Sequence, residues 1–402
     1  MKTHQVQQKT ERRISAALRL VFVAALLLGQ IALAFFLSTE LRQRAAIIYT
    51  VLELAAFGYA VRIYNRTDGT SYKFGWIFLV LTVPVVGLIL YFLWNGDRQQ
   101  KRLDLKKLPM PEEPEAQQAA HRIQMEKLRR KFPQWERLSV YLSRQGYLLY
   151  GDTETRYLPT GEMFLQDMLE KLEQAEHFIF LEFFIIAQGQ IWDRMEEIFR
   201  RKAAAGVEVK IIFDDFGSMM RFPAGQIEAL RESGVEVQVF NPVHHYVNRL
   251  YFNYRDHRKI VCIDGSTAYT GGANVADEYA NLTVRFGYWK DCGIRLDGPG
   301  AWGLTREFLH MWQRNGGQLM QERDYYRPHD HREAAGFCQP FVDGPDNNPI
   351  STAEDVFLHL INNARRSVHI TTPYLAIDEP MRQALCSAGA VSYTHLTLPT
   401  IA

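Results

Sequence analysis

Asn253–Asn274, NYRDHRKIVCIDGSTAYTGGAN, holds six specified positions: His257, Lys259, Asp264, Gly271, Gly272 and Asn274. Ile260–Ile263 is apolar and β-prone, Asp264-Gly265 is a hairpin signal, and Thr267–Thr270 reads as the returning strand. On a strand, positions i and i+2 face the same way, so His257 and Lys259 project to one side. Asp264 has the opposite parity and lies at the turn, which suits holding or polarising a group better than touching a substrate. Gly271 and Gly272 remove side chains where a backbone must approach a ligand, and Asn274 can donate an amide N–H to a phosphate oxygen. A neutral imidazole can attack phosphorus, while Lys259 balances charge on the equatorial oxygens. A histidine and a lysine two residues apart are common on any surface. Six such positions on one hairpin are not, and they suit metal-free cleavage of a phosphodiester.

Outward from the hairpin, helical and strand patterns alternate. Gly161–Ala175 has helical spacing, and Phe178–Ile186 is a continuous apolar strand buried on both faces. Asp193–Ala205 is a helix stopped by Gly206; Val207–Phe213 is a strand, Pro223–Glu232 a helix and Val235–Phe240 a strand. This order predicts an α/β domain with a largely parallel sheet. The pattern of Ala175–Ile186 returns at Ala364–Leu375, again between two helical segments. A repeat of this kind predicts two similar lobes with their motifs face to face. The same offset from Ala364 puts a second motif at about residue 446, past the last residue, 402. Val391–Ala402 abandons the helix period where a strand should follow, and reads as a non-native tail on a fragment whose second lobe is incomplete.

Net charge is +1, which suggests no nucleic-acid partner. Three apolar stretches occupy the N-terminal part: residues 14–37, Ala45–Val61 with Glu53 inside it, and Phe74–Trp94. The last has about 20 residues without a charge, enough to cross a bilayer. Basic residues at Lys2, Lys9, Arg12 and Arg13, and again at Arg98, Lys101, Arg102, Lys106 and Lys107, both favour a cytoplasmic face, which three spans cannot satisfy together. The expected organisation is a basic segment and first membrane helix (1–44), further membrane helices (45–96), a charged linker (97–134), a first lobe (135–330), the start of a second (331–390) and the tail (391–402). Cys262, Cys292, Cys338 and Cys386 show neither paired nor metal-ligand spacing, as in a reducing compartment.

The hairpin run resembles the HKD motif of the phospholipase D superfamily. Asp214–Ser218 upstream, and Val275–Tyr279, Tyr288–Asp291, Arg295–Pro299, Phe308 and Trp312 downstream, are similar to the bacterial cardiolipin synthases. The resemblance implies N-terminal membrane helices followed by phospholipase D-like mixed-sheet lobes flanked by helices. It implies a ping-pong transfer between two phosphatidylglycerol molecules, giving cardiolipin and glycerol. His257 would be the nucleophile, Lys259 the phosphate clamp and Asp264 the orienting group, with Gly271, Gly272 and Asn274 at the phosphate. A second motif, from an intact second lobe or a second copy of the chain, would supply the acid. Alternatives are a phospholipase D-type hydrolase and an inactive membrane-anchored fragment. The family uses no cofactor or metal; no G-x4-G-K-[ST] loop occurs, and His244-His245 and His329/His331 lack partners at ligand spacing. The expected location is the cell membrane, multi-pass, with the catalytic part cytoplasmic.

Overall fold

The computed structural model describes residues 28–29, 32, 42–66, 69–94, 113, 115–223, 225–242, 255–285, 287–319, 325–326, 334–344, 351–372, 374–391 and 393–397. The apolar stretch 14–37 falls almost wholly outside these residues, as do His244, His245, His329 and His331. The chain divides into two units, residues 1–103 with 244–252, and residues 104–243 with 253–402.

The first unit contains α1 (Arg42–Tyr64), α2 (Thr70–Thr82) and α3 (Pro84–Trp94). The expected continuous stretch Phe74–Trp94 is broken at Val83-Pro84. Proline has no amide hydrogen and a fixed φ, so it ends one helix and opens the next. A Cβ at Gly87 would lie 2.5 Å from the Leu79 carbonyl oxygen and 2.8 Å from Val80 Cα, so only glycine lets α3 approach α2 this closely. Ala56, Ile63, Val80 and Tyr91 form the core of this unit. Among the described residues, no helix is long and apolar enough to cross a membrane.

In the second unit, α4 (Glu115–Lys131) and α5 (Glu136–Arg144) precede β1 (Glu154–Leu158). Then come α6 (Gly161–Leu172), β2 (Phe178–Phe183), α7 (Gln190–Ala204), β3 (Glu208–Asp214), α8 (Asp215–Ser218), α9 (Gln226–Glu232) and β4 (Glu236–Phe240). The hairpin β5 (Lys259–Ile263) and β6 (Thr267–Gly271) leads to β7 (Gly293–Asp297) and α10 (Ala301–Arg314). Residues 97–134, expected as a linker, thus include the whole of α4, which is fastened to this unit. His121 Nδ1 accepts from the Leu149 amide at 2.9 Å, and Leu128 is buried.

The strands form one sheet in the order β1-β7-β6-β5-β2-β3-β4. Only β2–β3 and β3–β4 are parallel, so the expectation of a largely parallel sheet is corrected to a mixed one. The reason is the hairpin itself. A tight reversal makes antiparallel neighbours, and β5 also enters antiparallel to β2. Asp264 and Gly265 turn the chain with φ of 51° and 67°, a left-handed pair suited to a hairpin loop. One face of the sheet packs on α6 and α7 through Phe164, Met168, Trp192 and Phe199. The other packs on α10, where Phe308 stacks on Phe180 with ring centroids 4.8 Å apart.

A smaller assembly repeats the pattern: α11 (Thr352–Asn363), β8 (Ser367–Thr371), α12 (Glu379–Val391) and β9 (Tyr393–Thr397). β8 and β9 are parallel, as β2 and β3 are. β9 lies within residues 391–402, the segment expected as a non-native tail.

Candidate active site

The topology sets one edge of the sheet apart. Parallel β2 and β3 end there, antiparallel β5 begins there, β6 ends there and β7 begins there. Phe184, Asp214, His257, Lys259, Gly272, Asn274 and Asp291 consequently converge from distant parts of the chain. Asp264 closes β5 at the opposite edge.

His257 and Lys259 share one support. The His257 imidazole lies against the Phe184 ring, centroids 4.7 Å apart and planes at 52°. Lys259 Nζ sits 5.6 Å from the centroid of that ring and donates to the His257 carbonyl at 2.6 Å. Desolvation pushes the imidazole pKa down to about 4, the Lys259 charge pushing the same way and Asp256 opposing. Burial pushes Lys259 down to about 8, against the pull of Asp256 and Asp291. At neutral pH this leaves an uncharged imidazole beside an ammonium, the charge state a nucleophile and a phosphate clamp require.

The Asp214–Ser218 run explains how Phe184 is held. A Cβ at Gly217 would fall 2.1 Å from the Phe184 carbonyl oxygen, so α8 can approach only at glycine. Ser218 Oγ accepts from the Ile186 amide at 3.0 Å. Asp214 caps α8, its Oδ1 accepting from the amides of Phe216 at 2.8 Å and Gly217 at 3.3 Å. Its Oδ2 accepts from the Asp256 amide at 3.0 Å, fixing the residue before His257 to the end of β3. Burial lifts Asp214 to about 7, against the opposing charge of Arg255.

Arg258, of opposite parity, turns to the other side of the sheet. It pairs with Glu182 at 2.8 Å and with Asp256 at 2.9 Å, both carboxylates essentially inaccessible to water. Burial drives Glu182 well above its ordinary value despite Arg258. Asp256 is held below its own, because Arg258 and a bond from Glu182 outweigh its burial. Between the two, burial therefore favours the proton on Glu182 rather than on Asp256. Sequence reasoning found none of this; the one available signal was an acid, Glu182, inside an apolar strand.

The remaining predicted site residues divide. Asp264 Oδ1 accepts from the amides of His177 at 2.7 Å and Phe178 at 2.8 Å, and Oδ2 from that of Glu176 at 2.8 Å. It closes the start of β2 and does not join His257. Gly271 and Gly272 serve the approach of β6 to β7. A Cβ would lie 2.6 Å from the Cys292 carbonyl oxygen at Gly271, and 2.3 Å from Asp291 Oδ1 at Gly272. The Gly272 amide donates to the Cys292 carbonyl at 3.1 Å, so it is not offered to a ligand. Asn274 Oδ1 accepts from the Ile185 amide at 3.0 Å, and its Nδ2 donates to Tyr279 Oη at 2.8 Å. A carboxamide has a second N–H, and that one has no partner among the described residues. Asp291, named in the sequence only as a flanking residue, lies beside Gly272 and within electrostatic reach of Lys259. Among the described residues, no group of three or more His, Cys, Asp or Glu side chains is placed to hold a metal ion.

A histidine–lysine pair at the start of the central hairpin strand of a mixed sheet defines a phospholipase D-like protein. Residues 168–284 match the family described as cardiolipin synthase, PLD-like domain, and residues 54–95 match the phospholipase D-nuclease N-terminal family. An uncharacterized protein of Streptococcus mutans is 35% identical over 333 residues, 82% of this chain and 71% of that protein. Cardiolipin synthase 2 of Bacillus anthracis is 31% identical over 334 residues, 83% of this chain and 65% of that enzyme. The phosphatidylserine synthase structure from Haemophilus influenzae aligns at 12% identity over 65% of each chain, with a TM-score of 0.46. The chain belongs to the cardiolipin synthase family of phospholipase D-like proteins. It spans 71% and 65% of the lengths of the two relatives named.

Proposed function

We propose that this chain carries one catalytic half of a cardiolipin synthase, with His257 as the nucleophile. The observation that carries the reading is the uncharged His257 imidazole set beside the Lys259 ammonium on the Phe184 ring. The imidazole nitrogen bonds to phosphorus of phosphatidylglycerol as the bond to the glycerol oxygen breaks. The glycerol leaves after taking a proton. Lys259 and the second N–H of Asn274 hold the phosphate oxygens. The hydroxyl of another phosphatidylglycerol, losing its proton, then attacks the phosphatidyl-histidine, giving cardiolipin and restoring His257. One phosphodiester replaces another, so no nucleotide is consumed. The proton donor and acceptor come from a second HKD motif, on an intact second lobe or on a second copy of the chain. Asp291 steadies Lys259, and Asp264 acts only through the fold.

We place residues 42–94 in the cell membrane. Ile47, Val51, Leu54, Phe57 and Val61 recur every three or four residues along α1 and are exposed, as are Phe74, Phe78 and Leu81 on α2. Such an apolar stripe suits lipid better than water. The basic residues from Arg98 to Lys107 then favour a cytoplasmic catalytic unit.

The test uses the full chain in vesicles of phosphatidylglycerol labelled in the phosphatidyl group, with EDTA present. Acid-stable labelling would miss a phosphohistidine, so the adduct is trapped at alkaline pH. Label on His257 that is absent in His257→Ala, with glycerol released, is expected. Loss of labelling in EDTA, or labelling that survives His257→Ala, would overturn the assignment. Phosphatidic acid as sole product of a reaction supplied with the second motif would make the protein a hydrolase.

A further inference from the structure

Two loops leave the edge of the sheet that carries His257. One follows α8, the other follows the Gly271–Asn274 run. Glu278 ties them together: its carboxylate pairs with Arg221 at 2.6 Å and Arg285 at 3.3 Å. Burial opposes the charge on Glu278, but the bonds from Arg221 outweigh it and hold the carboxyl below its ordinary value. The tips so joined are apolar and turned to solvent. Met220 is 68% exposed, Leu282 48% and Val284 87%, and Phe216 on α8 is 42% exposed. On the central strands β2, β3, β5 and β6, by contrast, the large apolar side chains fill the two cores. Holding three apolar tips in water on a pinned pair of loops costs solvation, and a partner that removes them from water repays it.

We propose that Met220, Leu282 and Val284 form a docking rim that enters the headgroup region of an anionic phospholipid bilayer. There the rim sets His257 at the depth of the lipid phosphodiesters. This rests on the lipid reading of the site. Charge decides for a bilayer over a second copy of the chain. Arg221 and Arg285 share the single Glu278 carboxylate, so one positive charge in excess flanks the apolar tips. That combination binds an anionic interface, whereas two like rims brought face to face would oppose that charge. The location agrees, because both loops spring from the edge where a substrate phosphate must arrive.

The test replaces Val284 with tryptophan (Val284→Trp) in the full chain and uses vesicles of phosphatidylglycerol brominated along its acyl chains. Tyr157→Trp, at an exposed position on β1, is the control. Extra quenching and a blue shift of the Val284→Trp signal, absent from the control, are expected. Phosphatidylcholine vesicles should give less of both. A second arm compares Met220→Asp/Val284→Asp with the parent chain. Formation of phosphatidyl-His257 should slow about tenfold or more on vesicles, yet stay unchanged on monomeric short-chain phosphatidylglycerol. Equal quenching at both positions would overturn the rim. So would a blue shift without lipid that grows with protein concentration, the signature of a second copy, or an equal loss on both substrates. Quenching at Val284→Trp without labelling of either substrate would leave the rim standing and sink the chemistry assigned to His257.

Discussion

The His257 imidazole rests on the Phe184 ring, 4.7 Å between centroids, and that contact ties the nucleophile's charge to the residue that follows β2. Replacing Phe184 with alanine admits water to the imidazole and raises its pKa from about 4 toward the ordinary 6.5. The rate of phosphatidyl-histidine formation in the parent should therefore fall only as pH drops toward 4. In Phe184→Ala the same fall should begin one to two pH units higher, by a rough estimate. Single-turnover rates between pH 4 and 8 measure it; superimposable acid limbs would show that Phe184 does not control the charge.

The alkaline side tests Lys259. Its pKa is lowered to about 8, so the ammonium is present below that pH and lost above it. Single-turnover rates should decline above pH 8 in the parent. Lys259→Arg, which stays charged throughout, should remove the alkaline decline even if its absolute rate is lower. A decline that persists in Lys259→Arg would assign that limb to another group.

Asp264 separates structure from chemistry. Asp264→Ala strips a carboxylate from three backbone amides and should lower stability by about 3 kcal/mol. Below its melting transition, the folded variant should form phosphatidyl-His257 within about twofold of the parent rate. A hundredfold loss in the folded protein would return Asp264 to the catalytic group.

Under the sheet, burial favours the protonated form of Glu182, and Arg258 pairs with Asp256. Glu182→Gln should then change stability by only about 1 kcal/mol, since an amide stands in for the neutral acid that burial favours. Arg258→Met leaves a buried carboxylate unpaired and should cost about 3–5 kcal/mol. Denaturant midpoints of the two variants decide; the reverse order would mean that Glu182 is ionised.

Gly271 and Gly272 look alike in sequence and differ in what surrounds them. A Cβ at Gly271 meets backbone, 2.8 Å from Gly293 Cα, so Gly271→Ala should destabilise by about 1–3 kcal/mol. At Gly272 it meets only the Asp291 carboxylate, which can move. Gly272→Ala should keep most of the stability and lose activity by about tenfold, as Asp291 is pushed off Lys259. Equal effects in melting and labelling assays would contradict the division.

The hairpin was legible because its signals are local. Ile260–Ile263, Asp264-Gly265 and Thr267–Thr270 set strand, turn and strand within a dozen residues, and β5 and β6 differ from that reading by one residue at each outer end. The break at Pro84 was also within reach, since proline states its own constraint. The sense of the sheet was harder. Alternating helices and strands suggested parallel pairing, and nothing local says that β5 will lie against β2 rather than extend the parallel set.

The sequence by itself determined the histidine, the lysine and their spacing, because strand parity and turn chemistry act over a few residues. Tertiary structure alone decided which residues share an edge with them, because strand order is set by packing between segments far apart in the chain. It brought Phe184 and Asp291 to the site and sent Asp264 to the far edge. It also decided the charge on His257, since a pKa follows desolvation and neighbouring charge, and those exist only once the strands have met.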